Sequence, residues 1–243
     1  MTDDQESLAA KVVRSGSAAL AGGAATGDLK TTAVAVLIAA GSELAAAGVE
    51  ELRRDTPTHR LLAALAKDRE RELREHEDEI AQKLDVLVES VGDKPGFLSN
   101  VAGRARAWQD ARDTQCADPK KQRILMAALL NSLDVDAYNE GMTLSLFAML
   151  RDLDYGEIRV LNAATHPSNL LSLFPNSAQG DTGLIRPASK LHLHLAKLLD
   201  HRLVYIPPNR DNTFVFNSVV VTEVGEEMIK LIGSDAFRDA EAI

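Results

Sequence analysis

The stretch PASKLHLHLAKLLDHRLVYIPPNRDNTFVFNSVVVTEVGEEMIKLI, residues 187–232, decides the fold of this chain. Leucines at helical spacing predict a helix that opens at Pro187 and runs to about Arg202. A short strand over 203–206 and a turn-rich stretch over 207–212 follow it. Alternating aromatic and β-branched residues over 213–216 predict the returning strand of a hairpin, and Thr222 is typical of the cap of a last helix.

This order of elements resembles the second half of a winged-helix domain. The resemblance covers roughly residues 155–232, is clear for 187–232 and is poor for 169–185, where loop residues replace the expected middle helix. It implies that the helix over 187–202 occupies the recognition-helix position, and that Pro207–Asn212 forms the tip of the wing. Winged helices bind DNA or proteins, so the resemblance leaves both functions open.

Basic side chains on the 187–202 helix form the candidate interaction surface. Helical spacing places five of them on one stripe opposite the leucines: Arg186, Lys190, His194, Lys197 and His201. Such a stripe suits contact with phosphates or base edges in a major groove. The alternative is that the stripe is only the polar face that every amphipathic helix has, with no role in binding. Residues 181–232 hold six basic and six acidic groups, which favours a protein-interaction or structural role over DNA binding.

The middle of the chain, residues 97–166, predicts a helical core. A helix is expected from about Leu98 to Gln115, and Asp118-Pro119 is typical of the start of the next one. Asp154 and Glu157 have the spacing of a capping box, which predicts a helix that runs to Ala164. All ten aromatic residues of the chain lie at or after Phe97, so the self-sufficient core is expected downstream of residue 96.

Residues 1–96 predict an Ala/Gly-rich segment followed by a long charged helix from about Thr56 to Val91. That helix is dense in ion pairs at (i, i+4) spacing and keeps only a thin apolar stripe. The stripe predicts packing against a partner helix, from the same chain or from a second copy, and makes self-association the leading expectation. Its residues are Leu73, Ile80, Leu84, Leu87 and Val91.

The Gly/Ala-rich segment over 11–48 has two interpretations. It is either a soluble helical hairpin or flexible arm, or a segment that meets a membrane. Its uncharged runs, Ser15–Gly27 and Thr31–Ser42, are shorter than the roughly 20 apolar residues of a membrane span. One cysteine in 243 residues suits a reducing compartment. The sequence therefore indicates a cytoplasmic protein, with peripheral membrane attachment as the alternative.

Signatures of catalysis are missing from the sequence. It contains no P-loop, no G-x-G-x-x-G after a strand, no G-x-S-x-G and no H-E-x-x-H. His76 has no second histidine at metal-binding spacing, and Cys116 has no histidine near it in sequence. The net charge of −9 argues against a strongly basic nucleic-acid binder. The sequence predicts a non-enzymatic protein with no cofactor and no metal.

The whole chain is similar to the bacterial Abi-alpha family, which is associated with abortive phage infection. The similarity lies in the apolar segment Ala18–Gly48, the charged helix Arg53–Val91, and a helical region with Lys120-Lys121, Asn131 and a leucine-rich close at 150–161. It implies a defence-related helical protein with no catalytic residues to carry over. We expect a phage-defence or protein-interaction role, and the alternative is a winged-helix regulator with a helical dimerisation arm.

The expected architecture is therefore mainly α. A helical N-terminal arm occupies residues 1–96, a helical core occupies 97–166, and a winged-helix-like domain with one small β-hairpin occupies 167–243. The expected partners are a second copy or another protein, with DNA and a membrane surface as the weaker candidates.

Overall fold

A computed structural model of the chain describes residues 29, 32–38, 40, 67–114, 118–139, 142–179, 184–207 and 214–241. Within these ranges the protein is mainly helical, which confirms the predicted class. The predicted helix start at Thr56, the thiol of Cys116 and most of the Gly/Ala-rich segment lie outside the described residues. So does most of the predicted wing tip.

Helices follow one another along most of the described chain. Residues 32–38 and 67–75 are helical. The helices after them are α1 Glu77–Val91, α2 Phe97–Thr114, α3 Pro119–Ser132, α4 Val135–Asn139, α5 Thr143–Asp152, α6 Tyr155–Ala163, α7 Pro167–Leu173, α8 Lys190–Asp200, α9 Glu223–Ile232 and α10 Ser234–Glu241.

Two small antiparallel sheets lie in the described part of the C-terminal region. Strand β1, Ala178–Gln179, pairs with β2, Leu184–Ile185, inside a stretch where the sequence predicts mostly loop. Strand β3, Val204–Tyr205, pairs with β4, Val220–Val221. The predicted first strand is thus present, but its partner lies several residues later than the predicted 213–216.

The residues at 214–216 are drawn away from β3 by other contacts. The Phe214 carbonyl accepts a hydrogen bond from the Ile185 amide at 2.8 Å, and Val215 forms a β-bridge with Leu184. The Phe214 ring also stacks on His192 of α8, with 4.7 Å between the ring centroids. The aromatic alternation that suggested a hairpin strand therefore packs this segment beside β2 and α8.

Local capping signals decide where the helices begin. Asp154 and Glu157 form the predicted capping box of α6, and Thr222 accepts a hydrogen bond from the Gly225 amide as the cap of α9. Helix α8 begins at Lys190, three residues later than predicted, because the Ser189 side chain caps it and accepts from the His192 amide. The preceding residue, Ala188, has φ of 59°.

Contacts among the described residues group the chain into two compact units. One unit comprises residues up to Asp110 together with 132–144, and its interior includes Trp108 and the apolar side of α1. The other comprises 111–131 and 145–243, and Phe147, Leu161 and Leu195 are fully buried within it. The three-part division at residues 96 and 166 stays a prediction.

Candidate functional site

A cluster of charged side chains joins the start of α6 to the outer side of α8. The carboxylate of Glu157 accepts hydrogen bonds from His194 Nδ1 at 2.7 Å and from Lys197 Nζ at 3.1 Å. It also accepts from the Asp154 backbone amide at 2.7 Å, while the Asp154 side chain accepts from the Glu157 amide at 3.0 Å. The capping box thus holds the carboxylate that the imidazole and the ammonium of α8 meet.

Gly156 allows α6 and α8 to approach closely at this point. A Cβ atom built on Gly156 would lie 2.8 Å from His194 Cε1 and 3.0 Å from His194 Nε2. The His194 ring is also close to Phe174, with 6.2 Å between the ring centroids. A side chain at position 156 would therefore displace the imidazole from Glu157.

The Glu157 carboxylate is ionised despite its burial. Only 6% of its side chain is exposed, and burial alone raises the pKa of a carboxyl group. Hydrogen bonds from His194, Asp154 and Lys197 outweigh this effect and lower the pKa of Glu157 to about 2. The group is therefore a fixed negative charge at neutral pH, held by donors from two helices.

Lys121 of α3 is a further buried cation in the same unit. Its ammonium donates to the carbonyl of Arg151 at 3.1 Å and to that of Leu153, so it closes the end of α5. Burial and repulsion from Lys197 lower the pKa of Lys121 to about 8, against the attraction of Asp154 and Glu157. One lysine of the Lys120-Lys121 pair thus has a structural position at a helix terminus.

Asp154, Glu157 and His194 have the residue types and the spacing of a metal centre. One ligand atom from each residue lies within 4.8 Å of the others, which is close enough for a shared ion. The Glu157 oxygens, however, already accept from His194, Lys197 and the Asp154 amide, and the Lys197 ammonium would repel a cation. We therefore interpret the cluster as an ion-pair network between helices.

The residues of the predicted basic stripe have different surroundings in the structure. Arg186 is exposed and precedes α8, and His201 is the cap that follows its last residue, Asp200. Lys190 is exposed, whereas His194 and Lys197 turn toward Glu157. The prediction assumed a helix from 187 to 202 with an open polar side. Helix α8 begins three residues later than that, and the Glu157 carboxylate from α6 meets His194 and Lys197 in the middle of the stripe. The use of the stripe as a binding surface stays a prediction.

The candidate oligomerisation stripe lies inside a single chain. Leu73, Ile80, Leu84 and Leu87 are fully buried, and Val91 is nearly so. Their apolar surface is already covered by residues of the same chain, so these side chains do not present a face to a second copy. Of the two packing partners that the sequence left open, the structure places the partner within the chain. Self-association itself stays a prediction.

Three exposed apolar side chains in the C-terminal region were not identified from the sequence. Leu193 of α8 is 60% exposed, and Tyr205 and Val220 are each 53% exposed. Tyr205 and Val220 face one another across the β3–β4 pair. Helical periodicity is the sequence signal that could have identified Leu193. It lies two residues from each of the buried Leu191 and Leu195 and therefore points outward.

Among the described residues, no helix combines the length and the apolar character needed to cross a membrane. Comparisons with protein-family models, with curated proteins and with solved structures find no match to this chain.

Proposed function

We propose that this protein is non-enzymatic and acts by binding another protein through its C-terminal region, residues 167–243. The observation that carries the proposal is the exposure of Leu193, Tyr205 and Val220. Single exposed apolar side chains are ordinary at a protein surface, whereas adjacent ones are typical of interaction surfaces, and Tyr205 and Val220 lie directly opposite one another on β3 and β4. In this proposal the binding surface centres on the β3–β4 pair, and Leu193 of α8 is a further contact.

The contacts of the basic residues on α8 also favour a protein partner over DNA. A DNA-binding helix needs its cations available to phosphates. His194 and Lys197 instead bind a buried carboxylate of their own chain, which reduces the charge that the helix presents. Together with the equal numbers of basic and acidic groups over 181–232, this favours a protein partner.

Phage defence is the biological setting that we propose, on the basis of the similarity to the Abi-alpha family. In this proposal the Gly/Ala-rich N-terminal segment is the effector and the C-terminal region is the docking module. The partner is a second copy of the chain or another protein. Light scattering on the purified full chain separates these two partners, because only the first changes the mass of the protein alone.

Phage plating on cells that express the full chain tests the proposal. Leu193→Asp should abolish protection while the circular dichroism spectrum stays unchanged, because the side chain is exposed. Val86→Asp is the matched control, since Val86 is 54% exposed on α1. It should leave protection intact. The docking proposal fails if Leu193→Asp protects as well as the wild type, and the defence setting fails if the wild type gives no protection.

DNA binding through α8 is the second candidate function. The exposed side chain of Lys190 and the winged-helix-like order of elements favour it. Fluorescence anisotropy with a labelled duplex tests it directly. A regulator of this class should bind with a steep dependence on salt, because each phosphate contact releases counterions.

A further inference from the structure

The Glu157 carboxylate binds two donor side chains of α8. His194 and Lys197 are three residues apart on that helix, so they lie side by side on its surface. Both direct their donors to the two oxygens of one carboxylate, at 2.7 and 3.1 Å. The carboxylate comes from a different helix, α6. The imidazole and the ammonium are therefore both bound by a neighbouring helix and not by a residue of α8.

We propose that His194 and Lys197 form a latent phosphate-binding pair on α8, which Glu157 occupies from α6, and that displacing this carboxylate opens the pair to the phosphates of duplex DNA. This autoinhibitory contact rests on the second candidate function, DNA binding through α8, and not on the protein-docking function.

The chemistry of the Glu157 carboxylate supports a phosphate as the ligand of this pair. A carboxylate and a phosphate both present oxygens that accept from imidazole and ammonium donors at similar distances. The Lys197 side chain is 37% exposed and that of His194 is 19% exposed, so the ammonium is the member of the pair that solvent reaches more readily. A phosphate that displaces the Glu157 carboxylate therefore reaches the Lys197 ammonium from solvent.

The position of Lys190 favours a nucleic-acid backbone over a single phosphorylated side chain. Lys190 is exposed and lies two turns before Lys197, on the same side of α8. Seven residues of helix span roughly 10 Å. That separation is too large for one phosphate group and suits successive phosphates along a strand.

Glu157→Gln is the decisive variant. Glutamine at this position still accepts from the Asp154 amide and so preserves the capping box, but it removes the negative charge. Binding of a fluorescent duplex at low salt should tighten at least tenfold relative to the wild type. The matched control is Glu226→Gln on α9, which removes the same charge from an exposed position and should change affinity less than twofold. The double variant Glu157→Gln, Lys197→Gln should lose the gain.

Gly156→Ala provides a second route if the glutamine variant fails to fold. The added methyl group would lie 2.8 Å from His194 Cε1 and would push the imidazole off Glu157. A smaller gain in duplex affinity is expected, because only one of the two donors is released. An unchanged affinity in the folded variants overturns the proposal, as does a gain that Glu226→Gln reproduces or that survives the loss of Lys197. Tighter binding of a phosphopeptide with no change for DNA overturns the choice of ligand.

Discussion

The side-chain amide of Asn131 donates to the backbone carbonyls of Leu231 at 2.9 Å and Ile232 at 3.1 Å. A residue near the end of α3 thus closes the C-terminal end of α9, 100 residues later in the chain. The carbonyls at a helix end have no partner within the helix, so a donor from elsewhere is needed when the end is covered. Gly233, with φ of 81°, then lets the chain turn away toward α10.

Asn131→Ala should lower the free energy of unfolding by about 1–3 kcal/mol, because two carbonyls lose their donor. Asn131→Asp should cost more than the alanine change. It keeps the shape of the side chain but places a negative charge at the negative end of the α9 dipole. Urea denaturation of the three proteins measures both effects. An aspartate variant as stable as the alanine variant would show that Asn131 does not act as a cap.

The low pKa of Glu157 predicts a specific loss of stability in acid. The pKa is about 2 in the folded protein, against an ordinary value of 4.5. The folded state thus favours the ionised form, and this contribution is complete above pH 4.5 and is lost as the pH falls toward 2. At 1.36 kcal/mol per unit, the shift corresponds to about 3 kcal/mol at neutral pH.

Glu157→Gln should remove this part of the pH dependence. The difference in unfolding free energy between pH 6 and pH 3, measured with urea, should be smaller in the variant than in the wild type. Glu226→Gln, which changes an exposed side chain, should retain the full wild-type difference. Equal pH dependence in Glu157→Gln and the wild type would contradict the assignment of a buried, ionised carboxylate.

Local signals predicted much of the fold because they act over only a few residues. The Asp154–Glu157 capping box, the Asp118-Pro119 start and the Thr222 cap all appear in the structure, since each needs only neighbours along the chain. The partner of β3 was placed wrongly. Residues 213–216 and 220–221 are both suitable for a strand, and contacts of Phe214 with Ile185 and His192 decide between them.

The candidate site was predicted only in part, because it too depends on contacts between residues that are far apart in the sequence. Periodicity identified His194 and Lys197 as polar positions on a helix. It did not predict that Glu157, 37 residues before His194, would bind them, because that depends on how α6 packs on α8. Gly156 is the available sequence signal for this close approach, and its meaning depends on the tertiary structure.

Simultaneous change of Ile80 and Leu84 to Asp should unfold the unit that contains α1. Both side chains are fully buried, and placing two carboxylates there leaves charges without partners. A loss above about 4 kcal/mol is expected. Val86→Asp on the same helix should change stability by no more than about 0.5 kcal/mol, because Val86 is exposed. Thermal melts followed by circular dichroism compare the two. A folded, monomeric double variant of an oligomeric wild type would restore the stripe as an oligomer interface.

Two glycine-to-alanine changes should alter the stability of the protein in opposite directions. A Cβ atom at Gly225 would lie 2.2 Å from the Leu203 carbonyl oxygen and 2.7 Å from Val221 Cγ1, where α9 starts against the β3–β4 pair. The backbone must shift to admit it, so Gly225→Ala should destabilise the protein by about 3 kcal/mol or more.

Gly103 lies within α2, and a Cβ atom there meets nothing within 4 Å. Gly103→Ala should stabilise the protein by about 0.5–1 kcal/mol, because alanine has the higher helix propensity. Chemical denaturation of both variants measures both effects. A Gly225→Ala variant as stable as the wild type would show that the β3–β4 pair does not pack against the start of α9.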